Sequence, residues 1–106
     1  MKIIDLLQFF NSATQGESTD FLINGSELVV SVAGEAQNFS LTFYGQADLK
    51  PSDNWFALTA IGTDFSTTTA INHRGIYNFG IDGIGRVKAV IDNADGTLDV
   101  IGKVGE

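Results

Sequence analysis

The chain has 106 residues, 43% of them hydrophobic and 18% charged, with a net charge of −7. That is the size and composition of one globular domain, residues 1–106, able to bury roughly two-thirds of its unfolded surface in a single core. Six lysines and arginines and no cysteine argue against a basic face for nucleic acid or an anionic membrane, and exclude a disulfide framework or thiolate metal site.

The first ten residues, Met1 to Phe10, are apolar apart from Lys2, Asp5 and Gln8. Those polar interruptions make the stretch too short and too broken for a signal peptide or a membrane span. Ile3, Leu6 or Leu7, and Phe10 fit a short amphipathic helix, and Ile4, Leu6 and Gln8 against Ile3, Asp5, Leu7 and Phe9 fit a strand less cleanly. An apolar terminus of this kind either packs on the domain or docks on a neighbour, so residues 1–12 are a candidate docking segment.

Strands announce themselves next by alternation. Glu27 to Val32 places Leu28, Val30 and Val32 on one face. The preceding Asn24-Gly25 is a two-residue turn signal and predicts a hairpin with Phe21-Leu22-Ile23. Phe39 to Gly45 points Phe39, Leu41 and Phe43 inward and Ser40, Thr42 and Tyr44 outward. A loop is expected at Lys50 to Asn54, around the only proline, Pro51. Trp55 to Ile61 is apolar on both faces and predicts a central strand or one that meets a partner surface. Thr63 to Thr69 reads as an exposed loop or weak edge strand. Gly75 to Asp82 and Arg86 to Asp92 alternate well, the latter with Val87, Ala89 and Ile91 inside. Asn93-Ala94-Asp95-Gly96 is a turn, and Thr97 to Lys103 returns with Leu98, Val100 and Gly102 on one face. Arg86 to Lys103 is therefore expected to form a closing hairpin. Short strands with turn signals between them predict an all-β fold, an antiparallel β-sandwich of jelly-roll-like type with an apolar N-terminal segment.

Little of this carries chemistry. His73 is the only histidine, in a polar Asn72-His73-Arg74-Gly75 stretch, and no G-x-S-x-G motif accompanies it. One histidine and no cysteine leave zinc without a ligand set. Asp20, Asp48, Asp53, Asp82, Asp92 and Asp95 sit mainly at turns, where aspartate is favoured for backbone reasons. Asp92 to Gly96 lacks the downstream ligands of a calcium loop, and Gly80 to Gly85 does not match G-x-G-x-x-G. The expectation is no enzyme and no cofactor. The residues suited to contact a partner or a glycan are the aromatics Tyr44, Trp55 and Tyr77, with Phe9 and Phe10 of the apolar terminus.

The second half resembles a recurrent segment of small phage and prophage virion proteins. Gly75-Ile76-Tyr77-Asn78-Phe79 has the strand form G-(I/V)-Y-x-(F/V), and Asp82-Gly83-Ile84-Gly85-Arg86-Val87 the turn that follows it. Asp95-Gly96-Thr97 leads to Val100-Ile101-Gly102-Lys103, similar to the closing V-x-G-(R/K), and Asp53-Asn54-Trp55-Phe56-Ala57-Leu58 resembles the group's polar loop and Trp strand. The resemblance implies β-sandwich domains of tail, baseplate, head-fibre or capsid-decorating proteins, with no catalytic residues. It implies a homo-oligomer, often a trimer, with other virion proteins as partners and in some cases a cell-surface sugar. The chain is then expected in the virion after synthesis in the bacterial cytoplasm. Read as short and complete, it fits an accessory structural protein better than a receptor-binding tip. The alternative is a carbohydrate-binding module using exposed aromatics.

Overall fold

The computed structural model describes residues 3–47 and 53–106. Asp48 and the Lys50-Pro51-Ser52 part of the expected loop lie outside the described residues, as do Met1 and Lys2 of the apolar terminus. The described residues form β-strands and no helix. The long strands are β1 (Ile3–Ala13), β4 (Glu27–Gly34), β5 (Phe39–Gln46), β10 (Gly75–Gly80), β11 (Arg86–Ala94) and β12 (Leu98–Gly105). Between them lie short ones: β2 (Gly16–Glu17), β3 (Phe21–Leu22), β6 (Phe56–Ala57), β7 (Ala60–Gly62), β8 (Thr67–Thr68) and β9 (Ala70–Ile71). They build two antiparallel sheets facing each other. Sheet A runs β1-β12-β4-β10-β7-β8; sheet B runs β2-β11-β5-β6, with β3 also on β11 and β9 also on β5. The fold is an antiparallel β-sandwich.

Alternation explains the core. Leu28, Val30 and Val32 from sheet A and Phe39, Leu41, Phe43, Val87, Ala89 and Ile91 from sheet B are buried between the layers. Leu98 and Val100 of β12 join them. Aromatic rings stitch the two sheets: Phe43 of β5 meets Phe9 of β1 edge to face at 5.0 Å and Phe79 of β10 at 4.9 Å. Gly102 faces the same core. A Cβ there would lie 2.7 Å from the Phe9 ring, so the missing side chain makes room for it.

The apolar terminus is a strand, the edge of sheet A against β12. Its pairing is irregular between Gln8 and Phe10, and this bulge turns two consecutive side chains inward. Phe9 and Phe10 are therefore core residues, 5% and 6% exposed, and are not available to a partner. Leu6, 64% exposed, faces solvent in their place.

Both expected hairpins are instead arches that cross between the sheets. β3 pairs with β11 in sheet B, whereas β4 pairs with β12 and β10 in sheet A. Within this crossing the Ile23 amide donates to Gly85 O of one layer and the Ser26 amide to Gly105 O of the other. Gly25 serves close approach: a Cβ would sit 2.7 Å from Gly105 O. Likewise β11 belongs to sheet B and β12 to sheet A, so Arg86 to Lys103 is an arch. It stacks on the β4–β5 crossing, where Glu35 N and Ala36 N both donate to Thr97 O. The Asp95 carboxylate ties the two crossings together by accepting from Gln37 N, Asn38 N and Asn38 Nδ2 at 2.8, 3.1 and 2.9 Å. Those three bonds, the Asn38 side chain's first, hold its carboxyl below the ordinary value.

Trp55 to Ile61 is not one strand. Phe56–Ala57 pairs with β5 in sheet B and Ala60–Gly62 pairs with β10 in sheet A. Its two apolar faces belong to a segment changing layers: Ala60 is buried, whereas Phe56 is 70% exposed.

A candidate binding surface around Trp55

The outward positions of sheet B carry the most chemically varied surface. On β11 these are Arg86, Lys88 and Val90; on β5, Tyr44 stands directly across from Lys88 in the ladder. β2 adds Glu17 opposite Val90. Trp55 arrives from the polar stretch before β6, its amide donating to Asp53 O at 3.1 Å. Register thus gathers Tyr44, Trp55, Lys88 and Glu17, which the sequence spreads over four separate segments.

The geometry around the indole is ordered by charge. Lys88 Nζ lies 4.6 Å from the Trp55 ring centroid, a cation–π contact. The same ammonium donates to Glu17 Oε1 at 2.6 Å. One step along β11, Arg86 pairs with Asp20 at 3.2 Å. Ser18 closes the space between these pairs: its amide donates to Ala89 O, and its hydroxyl oxygen accepts from Ala89 N. Trp55 and Tyr44 are both half-buried. Two open depressions of about 240 and 250 Å3 share Trp55, Lys88 and Glu17 as walls; Tyr44 and Val90 complete one, and Ser18, Thr19 and Asp20 the other.

Tyr77, grouped with these aromatics by composition, lies on β10 in the other sheet. Its hydroxyl donates to His73 O at 2.7 Å. Burial, with the nearby Asp64 charge adding to it, pushes the phenol above its ordinary value, so it stays a neutral donor. His73 is exposed, beside a depression of about 620 Å3 that also touches Arg74, Gln37 and Phe39. Arg74 there donates to Gly34 O at 2.8 Å. Tyr77, half-buried like Trp55, lines a second depression of about 260 Å3 with Asp64, Ser66 and His73. Among the described residues, no group of three His, Asp or Glu side chains is placed to hold a metal ion.

Phe65, which no sequence pattern marks, is 86% exposed at the tip of the β7–β8 turn with φ of 66°. That left-handed conformation is rare for a bulky residue. Asp64 holds the turn by accepting from Ser66 Oγ at 2.6 Å and Ser66 N at 3.1 Å, and these bonds lower its carboxyl.

No protein-family model matches this chain, and no curated protein sequence matches it significantly. Two solved structures superpose on it closely. The SPBc2 prophage-derived protein YomS does so with a TM-score of 0.80 at 22% identity, over 94% of this chain and 90% of YomS. The PBSX exported protein XepA gives 0.84, also at 22% identity, over 94% of this chain and 37% of XepA. This chain shares their fold. It matches YomS almost end to end and spans little more than a third of XepA.

Proposed function

We propose that the chain is a non-enzymatic structural protein of a phage or prophage particle, assembling as a homo-oligomer and packing against other virion proteins. The observation that carries this reading is the near end-to-end likeness to YomS, a prophage-derived protein, with XepA as a second prophage relative in fold. The surface of sheet A supports it. Its outward positions form two adjoining rows, Gln8, Ile101, Ser31 and Ile76 in one and Leu6, Lys103, Val29, Asn78 and Ile61 in the next. Leu6, Ile61, Ile76 and Ile101 are all exposed large aliphatics on this one flat face. Clustered exposed aliphatics of this kind, here interspersed with Gln8, Ser31, Lys103 and Asn78, suit an interaction surface. Beside it, β1 is an edge strand of eleven residues, with backbone groups open to pairing.

Light scattering across a wide concentration range tests the assembly: a mass that is a multiple of 11.3 kDa is expected, and Ile76→Asp with Ile101→Asp should return it to the single-chain mass. A strictly monomeric chain at all concentrations overturns the homo-oligomer. Mass spectrometry of purified particles from a lysogen carrying the gene tests the virion, and absence of the chain there overturns that part.

A further inference from the structure

We infer that Asn24-Gly25 is a site of spontaneous covalent modification, where the chain deamidates itself and rebuilds its own backbone at a crossing between the sheets. Asn24 belongs to the only Asn-Gly pair in the sequence. The reaction needs an asparagine side chain that is free to turn and a following amide nitrogen that is free to attack it. Both conditions hold. Asn24 is exposed, and among the described residues neither its side chain nor the Gly25 N–H has a hydrogen-bond partner. Gly25 carries no Cβ to obstruct the approach. In the step itself the Gly25 nitrogen loses its proton to solvent base and bonds to the Asn24 Cγ, and the side-chain nitrogen leaves as ammonia. Water then opens the resulting succinimide ring at one of its two carbonyls. The product is aspartate where the main chain still runs through the α-carbonyl, and isoaspartate where it runs through Cγ. One water is consumed, one ammonia is released, and nothing is oxidised or reduced.

The fold slows this reaction at the other asparagines. The amide after Asn11 is committed, because Ser12 N donates to Asp99 Oδ1 at 2.8 Å. So is the amide after Asn54, Trp55 N donating to Asp53 O at 3.1 Å. The Asn38 side chain donates to Asp95 at 2.9 Å. Asn78 and Asn93 lie within β10 and β11. Asn72 is exposed, but His73 follows it with a bulky side chain where Asn24 has glycine. The consequence at Asn24 is set by what holds the crossing on either side. Ile23 N donates to Gly85 O at 3.0 Å and Ser26 N to Gly105 O at 2.9 Å. Gly105 is itself flanked by Ile3 of β1 and Glu27 of β4. An isoaspartyl link adds one carbon to the main chain between those two anchors. There is no slack for it, since even a Cβ on Gly25 would stand 2.7 Å from Gly105 O and 2.8 Å from Val104 Cγ1. Isoaspartate therefore loosens the crossing, whereas aspartate at the same place keeps the spacing and adds one exposed negative charge.

The test incubates the folded chain in mildly alkaline buffer and maps it by peptide mass spectrometry. A gain of about 1 Da, the exchange of –NH2 for –OH, should appear on the peptide carrying Asn24. It should appear at least about tenfold faster than on the peptides carrying Asn11 or Asn72. Isoaspartyl methyltransferase should label the same peptide, and the rate should rise with pH because the attacking nitrogen must lose its proton. Asn24→Gln, whose cyclic intermediate needs one more ring atom, should remove the gain. The isoaspartate form, separated by ion exchange, should melt below the native chain. Asn24→Asp, with the same charge and an ordinary backbone, should melt close to it. A gain at Asn24 that appears only after urea unfolding overturns the site, as does one no faster than at Asn11 or Asn72. An isoaspartate form that melts together with Asn24→Asp overturns the effect on the crossing.

Discussion

The two sheets of this sandwich are built differently. Sheet A has a long, regular centre: β12 pairs with β4 along all of Glu27–Gly34 and β10 covers most of its other side, with the bulged β1 on one edge and the short β7 and β8 on the other. Sheet B has one long pair, β5 with β11, and otherwise two-residue strands from the segments that pass over it. Regular pairing at its centre leaves sheet A with an outer face of aliphatic and polar groups in which Lys103 is the one charge among the positions named above. The short strands of sheet B deliver Glu17, Ser18, Thr19 and Trp55 onto its outer face, each from a loop that touches the ladder only briefly. Sheet A is where pairing is most continuous, and sheet B is where side chains of different chemistry are brought together.

The largest effect that could break this contrast is a core truncation in sheet A set against one on the surface of sheet B. Leu28 is fully buried, and Leu28→Ala should cost about 2–5 kcal/mol in urea unfolding. Trp55→Ala removes a larger side chain that is only half-buried, outside the core cluster, and should cost less than half as much. Equal losses would show that the indole holds sheet B together.

Next in size are two glycines, both with positive φ. Gly34 ends β4 with φ of 118°, and a Cβ there would stand 2.4 Å from the Thr97 carbonyl oxygen. Gly16 in β2 has φ of 105° and nothing within 4 Å of its missing Cβ. Backbone strain alone costs of order 1–3 kcal/mol. Gly16→Ala should fall within about that range, and Gly34→Ala should exceed it, because the collision is with backbone that β12 and the neighbouring crossing hold in place. Melting temperatures of the two variants check the order.

These glycines also show where the sequence was legible. Alternation placed Leu28, Val30, Val32, Phe43, Val87 and Leu98 in the core, because a strand with one buried face has no other way to arrange them. Asn24-Gly25 and Asp95-Gly96 did mark reversals. What they could not show was whether the chain returns beside its own strand or crosses to the other layer. A hairpin and an arch both need a tight turn, and in both the next strand again presents an apolar face to the core. The choice lies in non-local contacts, such as Ser26 N to Gly105 O and Glu35 N to Thr97 O. The site was half legible for the same reason. Tyr44 and Trp55 were visible as amphipathic aromatics, but pairing with β11 in sheet B, which brings Lys88 and Glu17 to them, is a register fact. Composition groups Tyr77 with them, because alternation along one strand does not say which layer that strand joins. For Phe9 and Phe10 the sequence leaves both packing and docking open, and the bulge that turns both inward is again a register fact.

Asp95 gives a smaller, pH-dependent effect at the end where the two crossings meet. Its carboxyl is held low in the fold, so it stabilises the folded state above the ordinary aspartate value, about 3.9, and that contribution is lost as pH falls through the lower folded value. Asp95→Asn should melt below the native chain at neutral pH. The gap should close as pH drops below that of an unfolded aspartate. A gap unchanged down to strongly acidic pH would mean that the amide loss acts through packing rather than through the charge.

The smallest expected change in stability is at the Glu17–Lys88 pair beside Trp55. Glu17 is 61% exposed and accepts from Lys88 at 2.6 Å. Solvent and salt screen such a pair, so Glu17→Gln should cost less than about 1 kcal/mol, and less still in high salt. Lys88 is more enclosed, 19% exposed, and its ammonium also rests on the Trp55 ring. Loss of the carboxylate should therefore free the ammonium, and Trp55 emission should shift although the fold is hardly weakened. A large loss of stability with unchanged emission would reverse the contrast between the sheets, making the pair a clamp on β2. A small loss with a shifted emission would mean that sheet B spends its surface charges on presenting one aromatic ring, while the pairing in sheet A keeps the sandwich folded.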